Sequence, residues 1–84
     1  MGTKNKPGDY DCYAKLADDE PYFLLRAKDP HAPALVELWA SLRAAEFGEY
    51  LKLDEARAVA VAMREWRIQA IKKRSEILEQ EMRR

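Results

Sequence analysis

The chain has a single cysteine, a single histidine, three glycines and four prolines among 84 residues. One thiol, Cys12, makes no intrachain disulfide, and such usage fits a reducing, cytoplasmic setting. With Cys12 and His31 alone of their kinds, a structural zinc site of Cys/His ligands is excluded. Cys–His nucleophilic catalysis needs the two in contact and a third group to orient the base, and their segments give no sign of that. Asp18-Asp19-Glu20 lacks the alternating spacing of a calcium loop. Isolated glycines build no phosphate-cradling loop. No catalytic residue, metal or cofactor is expected, so the chain reads as a binding module and not an enzyme. The longest apolar runs, such as Tyr22-Phe23-Leu24-Leu25, are too short to span a bilayer. Met1 to Gly8 has no apolar stretch for a secretory leader. Net charge is also missing: 15 Lys+Arg balance 15 Asp+Glu, so no overall field attracts nucleic acid or an anionic membrane.

What is present is a helical pattern. Hydrophobic residues make up 48% and charged residues 36%, which argues for a folded chain over wholesale disorder. The length allows one domain, with a thin core. Residues 1–8 read as a disordered tail and 9–84 as a single helical domain. Tyr10, Tyr13, Leu16 and Ala17 recur at helical spacing and predict a short helix over about 11–17, stopped before Pro21. Residues 22–27 form an arm that is either an extended segment or a helical turn. Asp29 and Pro30 suit the cap and first position of a helix over about 30–47, whose apolar face is Leu35, Leu38, Trp39 and Leu42. Gly48 closes it. After a turn over 49–53, Asp54 caps a second helix to about Met82, uninterrupted by Gly or Pro. The predicted class is all-α: an antiparallel helical hairpin with a long C-terminal helix and a short N-terminal helix and arm.

The two helices do not match in reach. About 29 residues give a rod of roughly 43 Å, against about 22 Å for the first helix. The first helix therefore covers only about 54–68 of the second. Apolar residues run on past that point, in one stripe through Ala56, Val59, Met63, Trp66, Ala70 and Ile77 and another through Val61, Ile68, Ile71, Leu78 and Met82. Leaving Ile71, Ile77, Leu78 and Met82 in water forfeits about 1.5–3 kcal/mol for each large side chain. Either the arm covers them or a second copy does. Self-association, with these four residues at the interface, is the expectation, and a twofold dimer its simplest form.

Charge is uneven along the chain. Residues 1–56 carry −4 and residues 57–84 carry +4. The basic half either pairs with the acidic half or forms an anion-binding zone from Arg57, Arg64, Arg67, Lys72, Lys73 and Arg74. Arg forks chelate phosphate or carboxylate, and an aromatic ring stacks on a base. The residues singled out as a ligand site are Tyr22, Arg26, Arg64, Trp66 and Arg67. Trp66 and Trp39 also lie on apolar stripes, where a core or interface role is the plainer one.

Two stretches resemble a family. Asp18-Asp19-Glu20-Pro21-Tyr22-Phe23-Leu24-Leu25-Arg26-Ala27-Lys28-Asp29-Pro30-His31-Ala32-Pro33 is similar to a DEPxFxLRAxDxxAP pattern. Residues 54–66, Asp54-Glu55-Ala56-Arg57-Ala58-Val59-Ala60-Val61-Ala62-Met63-Arg64-Glu65-Trp66, are similar to an EARAxAxAMxxW pattern. Both resemble small bacteriophage and prophage proteins, over roughly residues 10–67; the charged tail beyond lies outside the resemblance. It implies phage origin and action in the host bacterial cytoplasm. By analogy, small phage proteins without catalytic machinery block host defence proteins, or form oligomers that sequester nucleotide immune signals between subunits. The expected function is counter-defence by stoichiometric binding: an oligomer sequestering a nucleotide-like signal, or alternatively an inhibitor or scaffold bound to a host defence protein. The expected partners are therefore a second copy with such a ligand or host protein, and neither membrane nor nucleic acid.

Overall fold

The computed structural model describes residues 1–83. It is helical: α1 spans Ala32–Phe47 and α2 spans Leu51–Met82, with no strand among the described residues. α1 starts at Ala32 and not at the expected 30, with His31 and not Asp29 at the cap; Asp29, two residues before the cap, turns the chain into the helix. Its carboxylate accepts the His31 amide at 2.8 Å and its carbonyl accepts the Ala32 amide at 3.1 Å. Pro33 sits in the first turn, where its missing N–H costs nothing. Gly48 ends α1 at φ 79°, ψ 174°, a region open essentially to glycine alone, and its amide still donates to the Ala44 carbonyl at 2.8 Å.

The left-handed step at Gly48 shortens the connection to Gly48, Glu49 and Tyr50. α2 therefore begins at Leu51, not at the expected Asp54. Leu53 gives the physical reason: in the first turn of α2 it is fully buried, whereas in a loop it would be wet. Asp54 keeps a lesser role, a negative charge near the positive end of the helix dipole.

The core between the helices is made of small residues. Ala32, Ala40, Ala56 and Ala60 are fully buried with Leu53, the one large side chain among them. Small side chains let the backbones approach closely. Contact positions fall along α2 as they rise along α1. Near the end of α1, Arg43 Nε donates to the Tyr50 hydroxyl at 3.3 Å. In its middle, Ala40 packs with Leu53 and Ala56. Near its start, Glu37 pairs with Arg64. At the connection, Arg57 grips Glu49 in a two-pronged pair at 2.6 and 2.9 Å.

Residues 1–31 form an irregular arm. The helix expected over 11–17 is only a 3-10 turn, Tyr13–Lys15, with no side-chain cap and no buried residue. So short a segment cannot nucleate on propensity and has no buried face to stabilise it. Residues 22–26 join neither helix nor strand. Met1 packs against the Ala40–Leu53–Ala56 cluster, so the first residues fold back onto the helices.

Glu55 anchors this fold-back. Its carboxylate accepts the Met1 ammonium at 2.9 Å and the Asp9 and Tyr10 amides at 2.6 and 3.0 Å. Asp11 also meets the Met1 ammonium and takes the Gly8 amide at 2.8 Å. The ammonium bond first, then the amides, outweigh desolvation and hold Glu55 below the ordinary carboxylate range; the ammonium and Gly8 lower Asp11 likewise. A depressed folded pKa means attachment is complete above the ordinary carboxylate value and is lost as pH falls through the depressed one. The Asp9 and Tyr10 amides are therefore expected to be protected from exchange at pH 7 and to lose protection in acid before the helices unfold, as followed by residue-resolved NMR. Loss of both signals in a single step with the helices would contradict this anchor.

Candidate functional site: the free end of the second helix and its basic groove

α2 outruns its partner. Its 32 residues extend about 48 Å, while Pro30, Pro33 and Ala34 at the start of α1 reach only Arg64, Arg67, Ile68 and Ile71. The molecule measures 56 × 30 × 20 Å, with a radius of gyration of 16.4 Å where a compact chain of this size has about 12 Å. From Ile68 to Arg83 every residue is exposed. Ile71 is 57% exposed, Ile77 56%, Leu78 52% and Met82 87%. Residues 23–25 of the arm do not cover them: Phe23, Leu24 and Leu25 bound instead, with Leu35, Trp39, Val59 and Met63, an open cleft of about 450 Å³.

The surface facing α1 continues along this free end with its chemistry rearranged. Leu53, Ala60, Arg67, Arg74 and Glu81 recur every seven residues, as do Ala56, Met63, Ala70 and Ile77. Under α1 the first row supplies buried Leu53 and Ala60; beyond it the row becomes Arg67 and Arg74. The neighbouring row changes the other way, from Arg57 and Arg64, both ion-paired to carboxylates, to Ile71 and Leu78. The free end thus carries two cations with apolar side chains on both flanks, Ala70 and Ile77 on one side and Ile71 and Leu78 on the other.

Where α2 emerges from α1, the arm returns and forms a groove. Its lining is Lys28, Trp66, Arg67, Ala70, Ile71 and Arg74, around about 240 Å³ of open space. Among the described residues, Lys28, Arg67 and Arg74 make no ion pair. Their positive charge therefore stands uncompensated beside an exposed indole. Such a groove can bind an anion with a flat ring attached: the guanidinium forks and ammonium face the negative oxygens, and Trp66 offers a stacking face.

Two of the five expected ligand residues, Trp66 and Arg67, meet in this groove. Arg64 is committed elsewhere. It donates to Glu37, and that bond holds the carboxyl below its ordinary range and the guanidinium above its own. Tyr22 stands edge-to-face against Tyr13, with centroids 5.8 Å apart and planes at 81°. Arg26 is exposed on the arm and outside the groove. Arg74 belongs to the basic zone read from the sequence, but Lys28 was missed. It lies in a loop where no periodicity reports its surroundings, and only the return of the arm onto α2 brings it to Arg67. Trp39 is less buried than its stripe suggests, at 37% exposure, with the Arg43 and Lys52 cations 5.9 and 5.7 Å from its ring.

No group of three His, Cys, Asp or Glu side chains among the described residues is placed to hold a metal ion. Among the same residues no helix is long and apolar enough to cross a membrane. No protein-family model, curated protein or solved structure matches the chain.

Proposed function

We propose that this helical hairpin acts by stoichiometric binding, as a phage-encoded counter-defence protein that self-associates and sequesters a nucleotide-like anionic ligand. The observation that carries the ligand is the groove where unpaired Lys28, Arg67 and Arg74 surround exposed Trp66. Three cations gathered around one indole, none ion-paired among the described residues, suit a phosphate or carboxylate attached to a base. The phage and counter-defence elements rest on the resemblance of residues 18–33 and 54–66 to phage proteins.

The test is calorimetry with cyclic dinucleotides and ADP-ribose derivatives. Wild-type protein is expected to release heat with at least one. Arg67→Ala and Arg74→Ala are each expected to weaken that ligand about 10- to 100-fold, since a hydrogen bond to a charged group contributes about 1.5–3 kcal/mol. No heat with any of them removes this reading.

A second reading has its own observation, the bare apolar side chains of Ile71, Ile77, Leu78 and Met82. These suit an inhibitor or scaffold that seats a host defence protein on α2. In that case the target is captured by wild-type protein and lost on Leu78→Asp, with no nucleotide heat.

A further inference from the structure

We propose that the cleft between the arm and the hairpin holds a free amphipathic monoanion, an extended alkyl chain ending in one carboxylate, with the chain along the α1–α2 seam and the carboxylate at Lys52. This cleft shares no residue with the groove around Trp66, so the site stands apart from the nucleotide reading.

The pattern of α2 shapes the cleft. Lys52, Val59 and Met63 stand at i, i+7 and i+11, on one face of the helix within about 40° of one another. That face is apolar at two positions and cationic at its end. α1 supplies the other wall in antiparallel order. Trp39 stands beside Lys52, its ring centroid 5.7 Å from the ammonium, and Leu35 lies one turn away toward Met63. Phe23 and Leu24 of the arm bound the open side. The result is a trough, apolar along its length and positive at one end. From Lys52 to Met63 it runs about 16 Å, at about 1.5 Å per residue.

The positive end lacks a counter-charge. Among the described residues Lys52 makes no ion pair and no carboxylate lines the cleft. The nearby acids Asp11 and Glu55 are committed to the Met1 ammonium. Lys52 is also the second residue of α2, where the positive end of the helix dipole disfavours a cation, and no side chain caps that end. A bound carboxylate relieves both: it pairs with the ammonium and stands at the positive end of the dipole.

The apolar length calls for a chain. Phe23, Leu24, Leu35 and Trp39 stay exposed although they line the cleft, and a chain lying among them removes that surface from water. Size decides between a small molecule and a partner helix. The cleft, at about 450 Å³, falls within the roughly 300–1,000 Å³ of ordinary ligand pockets. A helix about 16 Å long and 10 Å across occupies roughly 1,200 Å³.

Titration with decanoate, below the concentration at which it forms micelles, tests the assignment. Trp66→Phe leaves Trp39 as the sole tryptophan, so its emission reports this cleft. Decanoate is expected to shift that emission to shorter wavelength and to saturate at one molecule per chain. Decanol, the same chain without the charge, should bind about 10- to 100-fold more weakly. Lys52→Met should bring decanoate down to the level of decanol and leave decanol unchanged, which also shows that the cleft is intact. Leu35→Glu should weaken both, and Leu78→Asp neither. Absence of a saturable shift, or equal binding of decanoate and decanol with Lys52 in place, overturns the assignment. So does binding that is lost on Leu78→Asp and kept on Leu35→Glu, which puts the chain on the free end of α2. Sedimentation with phosphatidylglycerol vesicles that is lost on Lys52→Met overturns the free acid in favour of a bilayer lipid. Nucleotide heat without decanoate binding keeps the groove around Trp66 and removes this site alone; decanoate binding without nucleotide heat does the reverse.

Discussion

Leu53→Ala is expected to lower the melting temperature by roughly 8 °C or more. Among the described residues Leu53 is the only large side chain that is fully buried, and the buried residues it packs with, Ala40 and Ala56, have little volume to spare. Removing it costs the transfer of its methyl groups and leaves a cavity, together about 2–5 kcal/mol. A domain of this length is stable by only about 4–12 kcal/mol, and each kcal/mol shifts the midpoint by about 4–8 °C. Circular dichroism at 222 nm on heating, with urea denaturation beside it, provides the measurement. Leu51→Ala is the control. It lies two residues away at the start of the same helix, but 71% exposed, and should stay within about 0.5 kcal/mol of wild type. Equal losses from the two would show that burial at the α1–α2 contact does not hold the fold.

Helix existence was legible from periodicity and from stops. Gly48 ended α1 as expected, and the lack of Gly or Pro after it let α2 run to Met82. The start of α2 was not legible, because Asp54 is a good capping residue and only the tertiary need to bury Leu53 moves the boundary three residues back. The 3-10 turn at Tyr13–Lys15 failed as a helix for the converse reason. Its spacing was helical but none of its residues is buried, and spacing without a buried face stabilises no helix this short.

The candidate site divides in the same way. Trp66 and Arg67 were legible because both sit on α2, where position fixes direction. Arg64, one turn before Arg67, carries the same chemistry but points at Glu37. No rule of spacing within α2 reveals a partner on α1. Lys28 and Tyr22 depend on the path of the arm, whose first ten residues are held by Glu55 gathering Met1, Asp9 and Tyr10. Such a long-range anchor leaves no periodic trace.

Leu78→Asp is expected to abolish self-association while leaving the monomer as stable as before. Among the described residues Leu78 belongs to the stretch that meets neither α1 nor the arm, so an acid there costs the isolated chain at most about 0.5 kcal/mol. In a twofold pair the substitution occurs twice. Each copy loses about 1.5–3 kcal/mol of apolar burial and must also desolvate a carboxylate. The dissociation constant is therefore expected to rise at least about 1,000-fold. Melting curves separate this from a folding defect. A self-associating protein melts higher as its concentration rises, because pairing draws on the folded state alone. Wild type should show that dependence, Leu78→Asp should not, and the two should converge at high dilution. A variant that melts below wild type at every concentration would show that Leu78 stabilises the single chain and that the end of α2 is not free.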